Sequence, residues 1–131
     1  MIPVVFVNCR KYPFLSMIES GSKEYETRSR DTLKRLVGCT VYLAETGKGK
    51  WPFVKISAKI SEVVAVRTRF EYEKYRTRTQ IKKGSMFDWT DSTKVKYLYK
   101  LTDVKPVPGF HLSPDCVRHG RVWAEYEPTR T

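Results

Sequence analysis

The longest strand-like pattern in this 131-residue chain runs from Phe53 to Val66. Val54, Ile56, Ala58 and Ile60 alternate with Lys55, Ser57, Lys59 and Ser61, which predicts one strand with a core face and a wet face. Val64 and Val66 continue the inward parity, and Glu62 falls on the same parity. Either a β-bulge resets the register there or the carboxylate points inward, where it could sit near Lys23. A strand of this length needs neighbours, and the rest of the chain supplies short ones. Residues 3–8 predict a first strand, broken at Tyr12-Pro13. Phe14 to Ile18 has the spacing of two helical turns against a core. Asp31 can cap a short helix ending at Gly38, and Cys39 to Glu45 reads as strand.

Thr46-Gly47-Lys48-Gly49-Lys50 predicts a hairpin turn, since two glycines supply unusual dihedrals. Arg69 to Ile81 reads as a polar helix, and Val95 to Val104 as a strand ended by Pro106-Val107-Pro108-Gly109. Ser113-Pro114 predicts one helical turn to about Arg118. Arg121 to Tyr126 is the last strand. Several strands with short helices between them, without regular βαβ alternation, predict an α+β chain built as a small mixed barrel. Residues 1–127 form the expected single domain, and 128–131 a frayed tail.

Charge bounds the function. Twenty-five Lys and Arg against fourteen acids give a net charge of +11 and a pI near 9.7. No fold requires that excess, and it implies a polyanion, most simply nucleic acid. No apolar run approaches the ~20 residues that span a bilayer, so no membrane role is expected. The N-terminus reads as a strand rather than a signal peptide. Cys9, Cys39 and Cys116 are odd in number and widely spaced, as free thiols in a reducing cytoplasm would be. His111, Cys116 and His119 match no standard zinc spacing, so neither a metal nor another cofactor is expected.

Three stretches could carry chemistry. Gly21 to Arg28 reads G-S-K-E-Y-E-T-R. Alternation puts Glu26 and Arg28 on one face, with Lys23 reaching in from the turn. A desolvated lysine beside a carboxylate can act as base or nucleophile, because burial lowers its pKa. Equally, Lys23 and Arg28 can hold a phosphate or a base edge, with Glu26 orienting them. In the hairpin, Lys48, Lys50, Lys55 and Lys59 surround Trp51 and Phe53, a pattern suited to phosphates and a stacked base. In Arg67 to Lys83, seven cations including Arg76 and Arg78 outnumber Glu71 and Glu73, with Phe70, Tyr72 and Tyr75 among them. That density suits a surface tracking a nucleic-acid backbone.

Gly21, Lys23, Glu26 and Arg28 occupy all four positions of the G-x-K-x-x-E-x-R signature, and in this the chain resembles the ASCH domain family of the PUA-like group. The resemblance covers roughly the whole chain, though only the motif is sharp. It implies a partly open barrel of five to six strands with short flanking helices, and a motif-lined cleft. It also implies two functions. ASCH domains have been associated with RNA binding, and some small members are hydrolases that deacylate acetylated cytidine or cut RNA. In the deacylating branch the motif lysine is catalytic, helped by a threonine three residues later and a distal glutamate. Lys23 matches that lysine. The threonine position holds Glu26, and the distal glutamate has only Glu62, Glu71 and Glu73 as candidates. The expectation is RNA or single-stranded nucleic-acid binding, with a modified nucleoside as the alternative ligand.

Overall fold

The computed structural model describes residues 2–48, 52–113, 116–119 and 122–126. Trp51, Lys50 and the 128–131 tail therefore lie outside the described residues. The strands are β1 (Ile2–Asn8), β2 (Tyr25–Arg28), β3 (Thr40–Thr46), β4 (Phe53–Val66), β5 (Lys96–His111), β6 (Val117–His119) and β7 (Trp123–Tyr126). The helices are α1 (Phe14–Ser20), α2 (Arg69–Glu73) and α3 (Arg76–Thr79), with one 3-10 turn at Lys34–Leu36. Among the described residues none of these helices is long and apolar enough to cross a membrane.

The seven strands form a single sheet in the order β2-β5-β4-β3-β1-β7-β6, with β1 and β3 parallel and the other pairs antiparallel. The sheet curls without closing, as an α+β, partly open barrel. The long β4 spans Phe53–Val66, the extent its alternation predicts. Ile56, Ala58 and Ile60 enter the main core with Val41, Leu43 and Tyr99, while Lys59 is exposed. The register slips between Ile60 and Glu62, so Glu62 turns out to solvent opposite Lys100. The bulge removes an unpaired carboxylate from the interior, which decides the open question against an inward Glu62.

Four expectations are corrected. β5 does not stop at Pro106; it runs through Pro106-Val107-Pro108-Gly109 to His111. Beyond Leu101 it pairs only with β4, so residues without an N–H are tolerated on its open side. The helix expected over Arg69–Ile81 is two short helices, broken at Lys74-Tyr75. Thr68 caps the first by accepting from Glu71 N at 3.1 Å. The turn expected through Arg118 ends in strand instead, since Val117–His119 pairs with β7. Asp31 caps no helix. It accepts the phenol proton of fully buried Tyr99, whose oxygen in turn accepts Leu33 N at 3.2 Å. Burial, then the Asp31 carboxylate, push that phenol well above its usual range.

Candidate functional site

The end of α1 places the motif. Gly21 adopts φ +87° and its N–H returns to Ile18 O at 3.1 Å, a left-handed cap that a side chain would strain. Met17 O then gathers Lys23 N at 3.0 Å and Ser22 Oγ at 3.2 Å, which winds the chain back and turns Lys23 inward. Leu101 N donates to Glu24 O and so starts the pairing of β2 with β5.

Lys23 is 2% exposed. Its Nζ donates to Thr79 O at 2.6 Å and lies 4.6 Å from the centroid of the Phe14 ring. Burial lowers its pKa; Glu26 pulls it back up and Arg28 pushes it further down. Glu26 is 8% exposed, and its Oε2 is buried without a hydrogen-bond partner. Arg28 Nη2 donates to Phe6 O at 2.7 Å, while its Nε is buried and unpartnered. Neither a hydrogen bond nor an ion pair within 4.0 Å joins these three side chains to one another. Glu26 therefore does not tether Lys23 or Arg28. Arg28 instead reaches from edge strand β2 to β1, across the opening of the barrel.

That opening is a cavity of about 610 Å³. Glu26 and Arg28 on β2, Asn8 and Thr46 at the ends of β1 and β3, and Phe87 and Lys96 opposite form much of its lining. Phe14 and Phe87 meet edge to face there, centroids 5.5 Å apart. Lys23 lies behind Phe14 and is not among the lining residues. The volume is that of a small-molecule pocket, and it admits a nucleoside.

Asn8, Thr46, Phe87 and Lys96 carried no site signal in the sequence. Asn8 and Thr46 become neighbours only through the parallel register of β1 and β3. Lys96 Nζ donates to Phe87 O at 3.2 Å, and burial lowers its pKa, with Asp88 acting against.

The other sequence candidates scatter. Lys48 is exposed, two residues beyond the cleft-lining Thr46, and is not itself among the lining residues. Arg76 is spent inside the protein: its guanidinium holds Glu73, Asp88 at 2.7 Å and Ile81 O at 3.1 Å. Burial alone would raise the Asp88 carboxyl, but Gly84 N–H, Arg76 and Trp89 N–H outweigh it and hold it below the usual range. Through Asp88, Arg76 fixes the loop that carries Phe87 into the cleft. Arg78 lies over the rings of Tyr75 and Tyr25, with its carbon 4.7 and 5.5 Å from their centroids. Glu62, turned outward, is not among the cleft residues.

By sequence, no family model and no curated protein matches the chain. In three dimensions it is similar to the ASCH protein of Zymomonas mobilis at 20% identity, with a TM-score of 0.68 over 84% of this chain and 73% of that one. A mutant of the same Zymomonas mobilis protein superposes with a TM-score of 0.67, over 84% of this chain and 75% of that one. The motif residues and the architecture point to the same kind of domain: this chain has the ASCH-domain fold.

Proposed function

We propose that this protein binds RNA or another single-stranded nucleic acid by taking one unpaired nucleotide into the cleft. The observation that carries this reading is the orphaned pair on β2, Glu26 Oε2 and Arg28 Nε. Folded proteins leave few buried polar atoms without partners, and those that remain call for an explanation. Both residues line the cavity together with Phe14 and Phe87, and the two orphaned atoms, closed to solvent in the empty cleft, become available when those side chains turn toward a guest. An unpaired base needs that combination, because it hydrogen-bonds along its edge and stacks on its face. The net charge of +11 supplies the long-range attraction for the strand.

A second reading, hydrolysis of an acylated cytidine-type nucleoside or of RNA, has its own support. Burial shifts the Lys23 amine toward its neutral, nucleophilic form. Against it, that amine is engaged by Thr79 O and lies behind Phe14.

Fluorescence anisotropy with a labelled single-stranded RNA tests the first reading. Salt-sensitive binding, weakened at least about tenfold by Glu26→Gln through loss of one charged hydrogen bond, is expected. A wild-type protein that binds no oligomer would remove the proposal. Chromatography of the same mixtures, and of acylated cytidine, separates the readings: product formed by wild type and absent with Lys23→Met would establish the hydrolase.

A further inference from the structure

We propose that α2 and α3 carry a second contact for the same single strand, outside the cleft, with Phe70 as its base-stacking platform. This rests on the reading that the cleft binds single-stranded nucleic acid. Phe70 is 77% exposed, so its ring is open to a planar partner. Lys74 Nζ stands 4.9 Å from its ring centroid and so holds a cation against the aromatic face. One turn on, the Arg78 guanidinium lies over Tyr75, itself edge-on to Tyr25 at 5.4 Å.

The charges around Phe70 select the kind of partner. Arg76 is neutralised by Glu73 and Asp88, and Arg69 pairs with Asp91 at 3.0 Å. Among the described residues, Arg67, Lys74, Arg78, Lys82 and Lys83 form no ion pair, which leaves Glu71 as the acid of this segment without one. An exposed ring with Lys74 on its face, in a segment that carries five unpaired cations against one unpaired acid, fits a chain that offers unpaired bases and phosphates together. An apolar protein surface would have to desolvate those cations without compensation. The second of the two helices is also fastened to the chain just before the cleft strand. Glu24 N donates to Arg78 O at 2.7 Å and Lys23 Nζ to Thr79 O at 2.6 Å, so α3 is bonded to the segment that leads into β2.

The test compares a three-nucleotide with a twelve-nucleotide RNA on wild type, Phe70→Ala and the Lys74→Ala/Arg78→Ala double variant. These side chains are surface-facing or partly so, and circular dichroism checks the fold. Phe70→Ala should weaken the longer RNA by about 5- to 150-fold, the stacking of one base, and leave the shorter one unchanged. The double variant should lower the log–log salt slope by about 0.7 for each phosphate it no longer neutralises. Undiminished binding of the longer RNA by Phe70→Ala would overturn the platform while the cleft reading stood. So would Phe70→Ala dissolving a dimer in sedimentation without affecting RNA, which would make this face an interface between copies. Wild type binding neither RNA would overturn both.

Discussion

Replacing Lys23 with methionine should leave the protein as stable as before at pH 7, or more so, and the gain should fade as the pH rises. The lysine keeps one hydrogen bond, to Thr79 O, and at 2% exposure has given up nearly all its water. A hydrogen bond from a charged group contributes about 1.5–3 kcal/mol. Against it stands the cost of burying an ammonium, several kcal/mol even after relaxation, with no carboxylate within 4.0 Å to offset it. Methionine keeps the unbranched stem and the contact with Phe14, and removes the charge. Lys23→Ala removes the stem as well and should cost about 2–4 kcal/mol through the cavity it leaves.

The pH dependence follows from the direction of the shift. Burial lowers the folded-state pKa of Lys23 below the ordinary 10.5. Between those two values the unfolded chain binds more protons than the folded one, so this group makes stability rise with pH. The penalty is complete below the folded pKa and gone above 10.5. Tyr25, Tyr72 and Tyr99 shift upward, Tyr72 to about 12, and act in the opposite sense; they cancel in the difference between wild type and variant. Urea unfolding of wild type, Lys23→Met and Lys23→Ala from pH 7 to 10.5 measures this. A methionine variant less stable than the alanine one, or a wild-type difference that stays constant with pH, would refute the argument.

Three further outcomes are expected. Tyr99→Phe deletes the proton given to Asp31 and orphans the buried Leu33 N–H, and should cost about 1–3 kcal/mol in urea unfolding. Gly47→Ala places a Cβ 2.7 Å from Asn8 Oδ1 and 2.9 Å from Arg10 Cβ at φ +87°. It should cost about 1–3 kcal/mol by thermal unfolding and weaken ligand binding by displacing the Asn8 rim. Arg76→Met should destabilise by about 2–4 kcal/mol, because it strips Asp88 and Glu73 of their cation, yet leave the salt slope of RNA binding unchanged. The Arg76-dependent stability is lost as the pH falls through the depressed Asp88 and Glu73 values, so wild type and variant should converge in acid.

Much of the fold was legible because local rules fix it. The β4 alternation located its two ends, Gly21 marked the end of α1, and Glu62 on the wrong parity flagged the bulge. What misled was anything decided by a distant partner. Pro106 looks like a terminator until β5 is seen to have one free edge there. Asp31 looks like a cap until Tyr99 arrives from 68 residues away. The site divides in the same way. The motif identified Lys23 and Glu26 as unusual, and both are buried. Their nearness in sequence suggested a mutual network, whereas Lys23 bonds to Thr79 and Arg28 to Phe6. Arg76 counted as one more surface cation, because nothing in its own segment reveals Asp88. Asn8 and Phe87 were invisible for the converse reason: only the completed barrel brings them to one hollow.

The reach of Arg28 to the Phe6 carbonyl has a mechanical consequence. One guanidinium staples the seam between the barrel's first strand and edge strand β2, while its Nε stays buried without a partner. If the cleft binds its guest through Arg28 as proposed, seam strength and occupancy are linked through a single side chain. A guest that competed for the terminal nitrogen would loosen the seam.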